Sequence, residues 1–96
     1  MPLIEELHDK RQEILDLAAR NGLSNIRIFG SVLRGEERED SDIDFLVSIE
    51  PTRRLTDLCR FRLDMKKMLG RECDVVSERG LHRLLRDKIL SEARPL

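Results

Sequence analysis

The chain has 96 residues, 40% of them hydrophobic and 39% charged, with 18 basic and 19 acidic side chains and a net charge of -1. This length predicts a single domain over 1–96, and the balanced charge gives no argument for non-specific binding to nucleic acid. No apolar run approaches the roughly 20 residues that span a membrane, and the N-terminal residues lack the basic start and apolar centre of a signal peptide. We therefore expect a cytoplasmic protein.

Apolar periodicity predicts four helices alternating with three strands. Lys10 and Arg11 interrupt the apolar stripe of the first helix, and Ser31 is expected to cap the short second one. Gly30 and Gly70 are expected to end the first strand and the third helix. The predicted elements, in chain order, are a helix over 3–20, a strand over 25–29, a short helix over 31–34, a strand over 43–49, a helix over 55–69, a strand over 73–76 and a helix over 81–93.

The sulfur and imidazole side chains do not indicate a zinc site. Cys59 and Cys73 lack the C-x-x-C spacing, so two free buried thiols are expected. His8 and His82 are too few and too far apart to supply ligands. The Met and Leu residues over 55–69 are expected to belong to the core.

Three aspartates carry the strongest chemical signal. Asp42 and Asp44 are two residues apart at the start of an apolar strand, so their side chains are expected on the same face. Asp74 is an unusual residue for a strand with the apolar sequence Cys-Asp-Val-Val, and its side chain is expected to project toward Asp42 and Asp44. Adjacent carboxylates repel each other unless a cation lies between them. Mg²⁺ is the natural cation, and the three residues predict a two-metal site for in-line displacement at a phosphate.

A small-residue turn precedes these carboxylates and is expected to hold phosphates. Gly30 and Ser31 open a predicted helix, where backbone N–H groups and the hydroxyl could bind outer phosphates. Arg34 could add a bidentate phosphate contact, and Ser41, next to Asp42, completes the predicted nucleotide-binding set. D-x-D or Gly-Ser alone is a weak motif, but their order and spacing together are much more specific.

Together these motifs resemble the signature of the polymerase-β-like nucleotidyltransferase superfamily. The matching residues are Gly30-Ser31-x-x-Arg34-Gly35, Ser41-Asp42-x-Asp44 and Asp74, and the small size resembles the minimal nucleotidyltransferase (MNT) branch. The resemblance implies a mixed α/β (α+β) fold with a small mixed sheet and helices mainly on one face. It also implies Mg²⁺, a nucleoside triphosphate substrate that is most often ATP, and transfer of a nucleotidyl group. Leu33 departs from the small alanine common in the family motif, but this removes no catalytic group.

The resemblance also implies a partner. MNT proteins are commonly paired with a HEPN-domain RNase toxin, and the MNT protein acts as antitoxin by adding AMP to a toxin tyrosine. A chain of 96 residues is expected to rely on a partner or another subunit to hold the acceptor.

Two other functions remain open at this stage. A catalytically silent antitoxin could neutralise its partner by occlusion, although the presence of all three aspartates favours an enzyme. A small-molecule or antibiotic nucleotidyltransferase would need an acceptor site, which a dimer could supply. A haloacid-dehalogenase-type phosphatase also uses D-x-D, but that larger fold does not fit this length.

Overall fold

The computed structural model describes residues 2–96. Within this range the chain forms five α-helices and four strands, with a 3₁₀ turn over Glu78–Gly80. Their bounds are α1 (Leu3–Asp9), α2 (Arg11–Arg20), β1 (Leu23–Phe29), α3 (Gly30–Arg34), β2 (Ile43–Ile49), α4 (Leu55–Leu69), β3 (Cys73–Ser77), α5 (Arg83–Glu92) and β4 (Arg94–Pro95).

The four strands form one mixed sheet in the order β3-β2-β1-β4. β1 pairs antiparallel with both β2 and β4, whereas β2 and β3 run parallel. A parallel pair needs a crossover connection, and α4 supplies it between β2 and β3. The predicted mixed α/β fold with a small mixed sheet is therefore confirmed.

The core lies between one face of the sheet and helices α1, α2 and α4. Alternate residues of β2, Ile43, Phe45 and Val47, are fully buried on this face. Phe45 meets Phe61 of α4 edge to face, with ring centroids 6.4 Å apart. Because successive strand residues point to opposite faces, Asp44 projects from the other face of the sheet.

The predicted first helix is wrong in one respect, because it consists of two helices. α1 ends and α2 begins at Lys10, whose backbone (φ -95°, ψ 11°) leaves the helical region. Lys10 and Arg11 break the apolar stripe, and the bend lets Leu7 and Ile14 on either side be fully buried.

The start of β1 and the cap of α3 also differ from prediction. β1 begins two residues early, at Leu23, because Leu23 and Ser24 also pair with β2, and its register shifts between Ser24 and Arg27, where Asn25 has φ 51°. This irregularity disrupts the alternation on which the sequence prediction relied. Ser31 does not cap α3: Phe29 occupies the N-cap position, with no side-chain cap hydrogen bond.

The predicted last helix is shorter than expected and is followed by a strand. α5 spans Arg83–Glu92, and β4 pairs with β1 through Arg27 and Ile28. No residue of α5 is buried, and Leu84 is 84% exposed. Its apolar stripe therefore does not enter the core.

The core predictions for α4 are wrong at three positions. Leu55 and Leu63 are 76% and 57% exposed, and Cys59 is an exposed free thiol rather than a buried one. The predicted buried free thiol is confirmed at Cys73. Within residues 2–96, no helix is both long enough and apolar enough to cross a membrane.

Candidate active site

The parallel pairing of β2 and β3 places two of the predicted carboxylates directly side by side. Asp44 and Asp74 are register partners, so their side chains project from the same face of the sheet. Asp42 lies immediately before β2, two residues from Asp44. Asp42 and Asp74 are exposed, and Asp44 is half-buried. The structure therefore brings the three predicted aspartates to one open face.

The electrostatics of Asp44 indicate that the other two carboxylates lie close enough to act on it. Burial, followed by the charges of Asp74 and Asp42, raises the pKa of Asp44 to about 6, and Glu92 adds a smaller effect in the same direction. The positive charge of Arg34 opposes this shift. At neutral pH the site therefore holds carboxylates that repel one another, the condition under which a bound cation is most favourable.

Gly30 gives Asp44 the room that it needs. Gly30 follows β1, whose last residue, Phe29, is the register partner of Asp44. Gly30 has φ +79°, and a Cβ on this residue would overlap the Oδ2 atom of Asp44. Only glycine combines this backbone conformation with so close an approach. The sequence prediction singled out Gly30, but it did not find this contact.

Arg34 lies near the site, but two glutamates already engage its guanidinium. Its Nε atom is 3.1 Å from Oε2 of Glu36, and its Nη1 atom is paired with Oε1 of Glu92. Hydrogen bonds to these carboxylates raise the pKa of Arg34 above its usual value. Oε1 of Glu92 also accepts a hydrogen bond from the Gly30 N–H at 3.1 Å. Sequence reasoning missed Glu92, which is 62 residues from Gly30 along the chain.

The two serines of the predicted nucleotide set occupy different positions. Ser31 is half-buried in the first turn of α3, where N–H groups lack acceptors within the helix. Ser41 orders the loop before Asp42: its Oγ atom accepts a hydrogen bond from the Arg38 N–H at 2.8 Å, and its carbonyl oxygen accepts one from Arg71 at 3.0 Å. A role for either serine in nucleotide binding stays a prediction.

Comparison with known proteins identifies the family. The model of the nucleotidyltransferase domain family matches residues 9–96. The chain belongs to this family. A provisionally named protein adenylyltransferase of Methanocaldococcus jannaschii is 37% identical over 87 residues, which are 91% of this chain and 94% of the relative. The protein is therefore a nucleotidyltransferase.

Solved structures agree with this assignment. A provisionally described minimal nucleotidyltransferase is 50% identical to this one, with a TM-score of 0.86 over 96% of this chain and 94% of the other. A Shewanella oneidensis complex, described as a tri-AMPylated HEPN toxin with its MNT antitoxin, has a TM-score of 0.69 at 20% identity, covering 92% of this chain and 69% of the other. At that identity the likeness to the complex concerns the fold alone.

The carboxylates of this nucleotidyltransferase fit magnesium by their chemistry. Asp42, Asp44 and Asp74 offer only oxygen atoms, which Mg²⁺ prefers, and a cation would offset the charges of Asp74 and Asp42 that, after burial, raise the pKa of Asp44. Within residues 2–96, no three His, Cys, Asp or Glu side chains are already arranged as a metal cluster. Because Mg²⁺ is usually held by one or two carboxylates together with substrate phosphates, the ion and the nucleotide are expected to bind together.

A surface hollow of the nucleotidyltransferase lies at the edge of the sheet, next to Asp74. It has a volume of about 210 Å³ and lies where α4 meets the edge strand β3. Its remaining lining residues are mostly apolar, with one arginine: Leu55, Leu58, Cys59, Arg62 and Val75. The exposure of Leu55 and Cys59, which contradicted the core prediction, results from their position on this hollow.

Proposed function

We propose that this nucleotidyltransferase transfers AMP from ATP to a tyrosine hydroxyl of a HEPN-type RNase toxin and thereby acts as its antitoxin. The observation that carries the proposal is that Asp44 and Asp74 are register partners on adjacent strands, with the backbone of Gly30 lying close to the Asp44 carboxylate. The name of the Methanocaldococcus relative supports protein adenylylation. The description of the Shewanella complex supports a HEPN partner.

In this proposal the three aspartates have two roles. Asp42 and Asp44 hold Mg²⁺ together with the nucleotide, and Asp74 contributes to the same cluster. When bound, Mg²⁺ offsets the negative charge of carboxylates and phosphates and orients the triphosphate for in-line displacement. Asp74 accepts the proton of the tyrosine hydroxyl while the tyrosine oxygen forms a bond to the α-phosphorus of ATP. The bond between that phosphorus and the leaving pyrophosphate breaks.

The turn after β1 is proposed to hold the leaving end of the nucleotide. Ser31 offers a hydroxyl and a backbone N–H group in the first turn of α3. Arg34 offers positive charge near Asp44, as its effect on the pKa of that residue indicates. Gly30 contributes by lacking a side chain, which lets the turn lie against Asp44.

The position of the site supports a macromolecular acceptor. Asp74 is exposed and lies on β3, an edge strand of the sheet. The hollow beside it has apolar walls at Leu55 and Leu58 and a positive charge at Arg62. A hydroxyl carried on the surface of another protein could therefore approach Asp74 without any opening of the fold.

A second candidate is neutralisation by binding alone. Leu84 and Leu85, on the outer surface of α5, are 84% and 52% exposed. Adjacent exposed leucines favour a protein-binding surface. Such a surface could occlude the toxin whether or not AMP is transferred.

Mass spectrometry of the partner separates the two candidates. The protein would be co-expressed with the HEPN-domain product of a neighbouring gene, as wild type, as Asp74→Asn and as Asp16→Asn. Asp16 is an exposed aspartate of α2, away from α5, and serves as the matched control. We expect the partner to gain AMP with wild type and Asp16→Asn but not with Asp74→Asn. Equal silencing by all three proteins without added mass would instead support occlusion.

A further inference from the structure

We propose that Glu92 is a positioning residue of the nucleotide site, which holds Gly30 and Arg34 in place relative to Asp44. This inference rests on the nucleotide-binding part of the proposed function and does not depend on the identity of the acceptor. Glu92 is the last residue of α5, a helix that otherwise contributes nothing to the described site.

The contacts of Glu92 reach both ends of α3. Its Oε1 atom accepts a hydrogen bond from the N–H of Gly30, the first residue of α3, at 3.1 Å. The same oxygen is paired with Nη1 of Arg34, the last residue of α3. The Glu92 side chain is 22% exposed. One carboxylate of low exposure therefore fixes the short helix that follows β1.

The carboxylate is itself held firmly. The residues after Glu92 form β4, in which Arg94 is the register partner of Ile28. Beyond β4, the N–H of Leu96 donates to the carbonyl oxygen of Ile26 at 3.0 Å, and Ala93 and Leu96 are buried. The backbone at Glu92 is thus tied to the strand that leads into Gly30.

The position of Gly30 in turn sets the space available to Asp44. There is no room for a Cβ between Gly30 and the Oδ2 atom of Asp44, so a small shift of Gly30 changes where that carboxylate can lie. The N–H of Gly30 is a first-turn donor without an acceptor in its own helix. Without Glu92, this donor would lose its acceptor, and Arg34 would keep only its pairing with Glu36.

In the opposite role, Glu92 would occupy the position at Gly30 and Arg34 where the phosphates of ATP bind and would compete with them. In that case ATP would have to displace Glu92 from Gly30 and Arg34 and leave a mostly buried carboxylate without partners, which is unfavourable. The positioning role requires no such displacement, because α3 retains other first-turn N–H groups. The two roles predict opposite effects on ATP affinity when Glu92 is replaced.

The test is calorimetric titration of ATP with Mg²⁺ into wild type, Glu92→Gln, Glu92→Ala and Glu36→Gln. In Glu92→Gln, glutamine can still accept the hydrogen bond from the Gly30 N–H, so we expect ATP affinity to fall about threefold or less. Glu92→Ala removes both contacts, and we expect it to lower ATP affinity about tenfold. Glu36→Gln removes the negative charge of the other partner of Arg34 without touching Gly30, and ATP affinity is expected to stay within about twofold of wild type, because exposed ion pairs contribute little. Thermal unfolding confirms that each variant is folded at the titration temperature.

Wild-type affinity in a folded Glu92→Ala protein would overturn the inference, and tighter binding would show that Glu92 competes with phosphate. If Glu92→Ala does not fold, Glu92→Asp replaces it. Aspartate keeps the charge but is too short to reach Gly30 and Arg34 together, so binding about threefold weaker or more is expected, and unchanged binding contradicts the proposal. A wild-type protein that binds ATP but never modifies a partner would contradict the acceptor proposal alone.

Discussion

Replacing Asp44 with asparagine is expected to stabilise the metal-free protein at neutral pH. The pKa of Asp44 is raised from 3.8 to about 6 by burial and by Asp74 and Asp42, so the ionised form is unfavourable in the folded state. The unfolded chain therefore loses its proton first as pH rises. The stabilisation associated with the protonated carboxyl is complete below pH 3.8 and is lost as pH rises through about 6.

The size of the effect follows from the shift. About two pKa units correspond to at most about 3 kcal/mol. Asp44 is only half-buried, and solvent screening reduces this to about 1 kcal/mol. For a domain of this length, about 1 kcal/mol raises Tm by roughly 4–8 °C.

Thermal unfolding followed by circular dichroism would measure this effect, with EDTA present to remove divalent cations. At about pH 7.5, Asp44→Asn should unfold about 4–8 °C above wild type, and the difference should nearly vanish at about pH 3, below both pKa values, where Asp44 is largely protonated in both states. Asp87→Asn, at an exposed position on α5, controls for the loss of one negative charge. A variant less stable than wild type at pH 7.5, or a difference independent of pH, would refute the argument that burial and the neighbouring carboxylates disfavour ionised Asp44.

Two further predictions concern the surroundings of the site. Gly30→Ala should abolish ATP binding in calorimetry, because the added Cβ would overlap Asp44. Gly70 also has a positive φ, but nothing lies near the position of an added Cβ. Gly70→Ala should therefore keep wild-type ATP affinity and lose only about 1–2 kcal/mol of stability. With N-ethylmaleimide at neutral pH, intact mass should show one label per folded chain, on the exposed Cys59, because burial raises the pKa of Cys73 to about 11. Equal loss of binding in both alanine variants, or rapid labelling of both thiols, would contradict these assignments.

The elements with strong local signals were predicted from the sequence. The predicted bounds of β2 and α4 agree with the structure. β2 is an apolar strand followed by Pro51, and α4 is a long amphipathic helix followed by Gly70, so each end is marked in the sequence. Asp74 was expected to project toward Asp42 and Asp44, because it is an aspartate in an apolar strand, and the parallel register makes it the neighbour of Asp44.

Long-range contacts determine the features that the sequence did not reveal. β4 is two residues long and forms because Arg94 and Pro95 pair with β1, so no local sequence pattern predicts it. Glu92 reaches Gly30 across 62 residues, and nothing in its neighbourhood distinguishes it from a solvated glutamate. The apolar residue Leu55 looked like core because helical spacing cannot tell a buried face from one that lines a surface hollow.

The central claim is that Asp42, Asp44 and Asp74 form one site for Mg²⁺ and a nucleotide. Calorimetric titration of ATP into the wild-type protein, once with Mg²⁺ and once with EDTA, tests it most directly. The account predicts an ATP affinity at least about tenfold higher with Mg²⁺, because the phosphates complete the shell of an ion that the carboxylates hold only weakly alone. Asp42→Asn should lose most of this gain, and Asp87→Asn should keep it. Equal ATP affinity with and without Mg²⁺ would contradict the account.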